Sequence, residues 1–218
     1  MTSRQIRLIL STHYFLYFGI LGIYLPYFNL YCYHLDFSGF QIGTLSAVRT
    51  FATALFPLIW GVLADRYNIR RPIFIMAVIA STTLWSFYLL TTDFALMLLI
   101  TAVYGIFYAP IISFLESFSM DLLDTRKKDY GHLRVWGSIA FILVVMGVGR
   151  LIDIYSASII LVLILGGSIV QSLLSFTVPR VPPQQSEQSF SASARIFFNR
   201  RALTFIFCAF LMLVSHGT

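Results

Sequence analysis

Gly61-Val62-Leu63-Ala64-Asp65-Arg66-Tyr67-Asn68-Ile69-Arg70-Arg71 is a charged hairpin set between two long apolar segments. Charged side chains are costly in hydrocarbon, so such a cluster belongs at a membrane surface. Gly61 permits close helix approach. Asp65, at a helix end, is placed to pair with arginines or to cap a neighbouring helix N-terminus. Pro72 suits the first turn of the helix that follows. A plain basic anchor is the bland alternative. The Gly-xxx-Asp-Arg-xxx-Arg-Arg pattern favours a clasp that holds helices together on one side and releases them on the other. Gly61, Asp65, Arg66, Arg70 and Arg71 are therefore the candidate gating residues.

Composition fixes the solvent around that hairpin. The chain is 58% hydrophobic and 11% charged, whereas soluble domains carry about 25% charged residues. Folded in water it would expose large apolar patches. The expected setting is a lipid bilayer, in an all-α integral membrane fold. Apolar segments at 9–32, 42–64, 73–91, 95–119, 133–151 and 156–178 are long enough to cross as helices, which takes roughly 20 residues each. None alternates as a barrel strand does. The first is too long for a signal core and lacks a small-residue cleavage site, so it is read as retained. A polar, proline-containing stretch at 179–201 reads as a cytoplasmic linker. A seventh helix starts near 202 and is cut off at Thr218. The expected domains are a six-helix bundle over 1–178, the linker over 179–201 and the start of a truncated second half over 202–218.

Orientation follows from the cations. With the N-terminus inside, all of the 15 lysines and arginines except Arg49 and Arg150 fall on the cytoplasmic side or at its boundary. That is a strong positive-inside bias, and it predicts a multi-pass protein of the cell membrane with a cytoplasmic N-terminus. It also accounts for the net charge of +6 without a nucleic-acid partner. Cys32 and Cys208 show no metal-ligand or redox spacing. Asp65-Arg66-Tyr67 spells a receptor motif, but it follows the second span of a chain whose N-terminus reads as inside, so a receptor is excluded on topology.

Gly43, Gly61 and Asp65 share their spacing with Gly131, Gly149 and Asp153. The first set ends an inward span and the second ends an outward one. A three-helix unit repeated with opposite topology is the inverted-repeat logic of secondary transporters.

The hairpin resembles the conserved loop between the second and third helices of the major facilitator superfamily. Asn68 stands where a glycine is usual, and asparagine tolerates the left-handed backbone. Tyr17-Phe18-Gly19-Ile20-Leu21-Gly22-Ile23-Tyr24-Leu25-Pro26 is similar to helix 1 of the branch that holds lactose permease and the phenylpropionate and nucleoside proton symporters. The resemblance implies that Glu116 and Arg134 hold the positions of a substrate-binding glutamate and arginine. It puts Phe141 in place of a sugar-stacking tryptophan, which weakens a galactoside reading. It implies proton coupling, a second half-bundle as partner and no other cofactor.

Three charges lie within or at the edge of predicted spans, where an ionisable group usually faces a cavity or a partner. Arg49 sits about two turns inside the second span, a depth that suits binding an anionic solute or pairing with an acid. Glu116 and Arg134 lie near the inner ends of the fourth and fifth spans and are placed to approach each other. His13, inside the first span, reads as a packing histidine with a proton relay as the alternative, and the tyrosines Tyr14, Tyr17, Tyr24, Tyr27 and Tyr31 of that span read as packing residues or cavity lining. The expected substrate site is Arg49, Glu116, Arg134 and Phe141. No HExxH, GxSxG or P-loop pattern points to enzymatic chemistry. The expected function is secondary active transport, as proton symport of a small polar or anionic organic solute by alternating access. A non-transporting sensor or assembly partner built on half a transporter is the competing class.

Overall fold

The computed structural model describes residues 3–123 and 130–179, together with Thr204 and Cys208. The expected linker beyond residue 179, the expected seventh helix apart from the helical Thr204 and Cys208, and the basic residues Arg126, Lys127 and Lys128 lie outside the described residues. Seven α-helices and one short 3-10 turn make up the described fold: α1 (Ser3–His34), α2 (Gly39–Tyr67), α3 (Arg70–Ser86), α4 (Phe94–Tyr108), α5 (Pro110–Leu123), α6 (Tyr130–Ile154) and α7 (Ile159–Ser175). Five helical stretches are long and apolar enough to cross a membrane, one of them being α4 and α5 together as Phe94–Leu123. The sixth expected span appears as α7, shorter than its predicted 156–178.

Helix ends follow local chemistry. Ser38 and Gln41 form a reciprocal capping box that starts α2, satisfying donors a helix start leaves orphaned. Asp93 caps α4 by accepting from the Leu96 backbone N–H at 3.0 Å. Asn68 ends α2 in the left-handed conformation, φ 52° and ψ 39°, and its N–H returns to Ala64 and Asp65. Asparagine visits that region more readily than bulkier residues, which is why it serves where a glycine is usual.

The fourth predicted span is not one continuous helix. Pro110 has no N–H to offer the Ile106 carbonyl, so α4 gives way to α5 there. The orphaned carbonyl accepts instead from the indole Nε1 of Trp60 on α2, at 2.9 Å. A proline break in one helix is thus satisfied by a side chain of its neighbour, as membrane burial requires.

The helices pack in a symmetric pattern. α1 runs along α6 and α7, α4 runs along α2 and α3, and α3 runs along α7. Exchanging the first three spans for the last three maps the α1–α6 contact onto α4–α2, and α1–α7 onto α4–α3. The α3–α7 contact maps onto itself. This is the 3+3 inverted repeat that the glycine and aspartate spacing predicted. Both major seams close on glycine. A Cβ on Gly105 of α4 would lie 2.6 Å from Ala52 of α2, and one on Gly137 of α6 would run into the Phe18 ring of α1.

Trp85 and Arg71 fix opposite ends of the α3–α7 contact. Trp85 donates to the Leu161 carbonyl at the start of α7. Arg71 donates to the carbonyls of Phe176 and Val178, just past its end. Trp85 also belongs to a column of aromatic rings from α1, α3 and α4. Tyr17 stacks on Tyr108, Tyr108 on Tyr104, and Trp85 meets Tyr104, Tyr24, Phe28 and Tyr88. All of these rings are buried, as is Tyr31 beside Phe28, so Tyr17, Tyr24 and Tyr31 are packing residues, not the lining of an open cavity.

Candidate functional site

Two charged clusters and one separate arginine make up the candidate site. The first cluster is the hairpin. Arg70, in the opening turn of α3, donates from Nε to Asp65 at 2.6 Å and from Nη1 to Asp121 at 3.0 Å. Asp121 lies near the end of α5, so one guanidinium joins the two repeats. Two carboxylates on a single fork is the geometry arginine offers and lysine does not. Arg71, the next residue, turns the other way to hold the end of α7. Its positive charge there complements the helix C-terminus.

Arg66 takes no part in that lacing. It is exposed and lies over its neighbour Tyr67, 5.8 Å from the ring centroid. Gly61 differs from expectation too. A Cβ added to it would meet nothing within 4 Å among the described residues, so it makes no close helix approach there. The repeat is likewise asymmetric in chemistry. Gly149, the counterpart of Gly61, is crowded by the Tyr27 hydroxyl, 2.8 Å from where its Cβ would be. Tyr27 in turn donates to the Val145 carbonyl. Asp153, the counterpart of Asp65, is exposed and has no ion pair among the described residues.

The second cluster joins α5 to α6. Arg134 donates from Nη1 to Glu116 Oε1 at 2.5 Å. The Tyr130 hydroxyl, one turn before Arg134, donates to the same oxygen at 3.4 Å. The Arg134 guanidinium also lies over the Phe18 ring of α1, 5.3 Å from its centroid. The side chains of Arg134 and Glu116 are 44% and 40% exposed, so the pair is open to a ligand. A pair this exposed contributes at most about 1 kcal/mol to stability. Phe141 is two turns along the same face of α6 and packs against Gly22 of α1, where a Cβ would lie 3.1 Å from the Phe141 carbonyl oxygen. Phe141 is half-buried at that seam.

Arg49, on α2, stands apart. It is half-buried, and its guanidinium lies over the Tyr24 ring at 5.1 Å. Among the described residues no carboxylate pairs with it. An aromatic face is the partner of this arginine inside its span, in place of a carboxylate.

The structure therefore joins Glu116 with Arg134, joins Asp65 with Arg70, and leaves Arg49 on its own. Asp121, Tyr130 and Phe18 were missed in the sequence. Asp121 did carry a signal, as an acid near the same helix end as Glu116. Tyr130 did too, four residues before Arg134 and so on its face. Nothing marked Phe18, because an aromatic in an apolar run is the norm.

Residues 7–218 match the model of the MFS_1 like family. The chain is 24% identical, over 95% of its length, to the probable 3-phenylpropionic acid transporter of Escherichia coli (strain K12), of which it covers 56%. It is 27% identical to the nucleoside permease NupG of the same organism, over 90% of this chain and 50% of the permease. A crystal structure of the nucleoside transporter NupG matches with a TM-score of 0.79 at 22% identity, over 95% of this chain and 54% of that one. At that identity the likeness is one of fold. The chain spans about half the length of these curated relatives.

Proposed function

The chain belongs to the MFS_1 like family, a multi-pass membrane fold, and from that premise we propose that it forms one bundle of a secondary active transporter. The transporter carries a small polar or anionic organic solute by alternating access, with a second six-helix bundle facing this one and protons as the coupling ion. Relatives named for 3-phenylpropionate and for nucleosides support a solute of that size and polarity. Arg49 receives an anionic group of the solute. Glu116 and Arg134 hydrogen-bond its polar groups, and Phe141 packs against its apolar part. The loop carrying Gly61, Asp65, Arg66, Arg70 and Arg71 closes and opens the cytoplasmic face, its central event being the exchange of the Arg70 bridges.

The observation that carries this reading is the Glu116–Arg134 pair. It is half-exposed, joins two spans and adds little to stability, which is the profile of a group kept for a ligand rather than for the fold. The test is uptake of radiolabelled 3-phenylpropionate and of a nucleoside into vesicles containing the two-bundle transporter, with and without an imposed proton gradient. Gradient-driven accumulation of either solute is expected. No accumulation of any small organic anion or nucleoside by correctly inserted protein overturns the proposal. Accumulation that ignores the proton gradient removes the coupling and leaves the transport.

A further inference from the structure

A pocket of about 530 Å³ opens beside the first turns of α1, away from the residues placed in transport. Arg4 and Arg7 of α1, one turn apart, line its basic end. Leu8 and Phe15 of α1 and Trp136 of α6 form apolar walls, and Ser11 lies between the arginines and Phe15. The Thr12 hydroxyl is spent on the Leu8 carbonyl at 2.8 Å. Ser11 has no such bond among the described residues, so its hydroxyl is available to a ligand.

Polarity is graded along this pocket. Cations occupy the end of the span and apolar walls run inward from them. From Arg4 to Phe15 the helix rises about 16 Å, the depth of a headgroup and the upper part of an acyl chain. Leu8 and Trp136 are 68% and 49% exposed, and tryptophan is at home at the membrane–water interface. A small soluble anion would use the arginines and leave the walls empty. A zwitterionic lipid would fill the walls but bring no net negative charge to the basic end of the pocket. We propose that this pocket binds one anionic phospholipid, its phosphate held by Arg4, Arg7 and the Ser11 hydroxyl, and its acyl chain lying along Leu8, Phe15 and Trp136. Arginine forks suit phosphate oxygens in this role. The proposal does not depend on what the protein transports.

Trp136 makes the site readable. The chain is reconstituted in nanodiscs containing phospholipid brominated on its acyl chains, which quenches tryptophan on contact. The Trp136 contribution is the difference between the unaltered chain and Trp136→Phe. Brominated phosphatidylglycerol is expected to quench it saturably, at a mole fraction roughly tenfold lower than brominated phosphatidylcholine, as two basic groups near an anionic headgroup imply. Arg4→Gln/Arg7→Gln is expected to erase that difference, and Arg4→Lys/Arg7→Lys to keep most of it. Equal quenching by the two lipids overturns the site. So does quenching that rises in proportion to mole fraction without saturating, which marks diffuse surface enrichment. Competition by millimolar inorganic phosphate reassigns the pocket to a soluble anion and also overturns it. The lipid exchange on the unaltered chain stands even if the arginine variants insert poorly.

Discussion

At the scale of single residues, the charges within the spans divide into those the fold needs and those it does not. Among the described residues, Arg49 rests on the Tyr24 ring with no carboxylate partner, a contact of about 0.5–1 kcal/mol at a partly exposed site. Arg49→Gln is therefore expected to cost the bundle no more than about 1 kcal/mol, read as a small shift in the thermal midpoint in detergent. Solute uptake is expected to fall at least tenfold. Uptake within a factor of two of the parent would make Arg49 a packing residue. Glu116→Gln and Arg134→Gln belong to the same class. Each should leave stability within about 1 kcal/mol while reducing uptake, and the double variant should be little worse than either single one. Two fully additive uptake losses would mean that the residues do not act as a pair. The importance of Arg49, Glu116 and Arg134 was legible in the sequence, because a charge in an apolar run stands out. Their surroundings were not. Phe18 and Tyr24 sit among many aromatics, and nothing in a one-dimensional pattern says which ring lies under which guanidinium.

At the scale of helices, the sequence marked ends better than interiors. The capping residues Ser38 and Asp93, and Asn68 at the left-handed turn, are visible as residue types with a fixed local role. The break at Pro110 was visible as a proline. That it would end one helix and start another, with Trp60 covering the freed carbonyl, depends on a neighbour more than forty residues away. Glycines show the same division. Gly43 and Gly105 look alike in the sequence. A Cβ on Gly43 would meet nothing within 4 Å, whereas one on Gly105 would collide with the Ala52 Cβ, which cannot rotate away. Gly43→Ala is expected to be neutral or stabilising by up to about 1 kcal/mol, through helix propensity. Gly105→Ala should destabilise by about 1–3 kcal/mol by forcing α2 and α4 apart. Thermal unfolding of the two variants in one detergent compares them directly. Equal midpoints would mean that the α2–α4 seam is looser than this structure has it.

At the scale of the whole molecule, span count and the inverted repeat could be read from segment lengths and from two matched sets of glycine and aspartate. Which faces turn inward could not, because helices that are apolar all round carry no stripe to orient them. The structure supplies that missing asymmetry. In α2 and α6 only 11% and 17% of the most apolar stretch is buried, against 50% in α1, so these two spans hold most of the surface left for lipid or a second bundle. The two repeats meet at the Arg70–Asp121 bridge, whose side chains are 22% and 12% exposed. Arg70→Gln and Asp121→Asn should each destabilise the bundle, with a coupling of roughly 0.5–1 kcal/mol in a double-mutant cycle. Strictly additive losses would deny the bridge an energetic role. The aromatic column has a mechanical consequence of its own. It is bolted to α1 and α3 from one repeat and to α4 from the other, through rings too closely stacked to slide. Each repeat is thereby denied independent travel. The column behaves as a strut, so load applied at either end is carried through the bundle, and the flexing that alternation needs is displaced to the hairpins and outer faces.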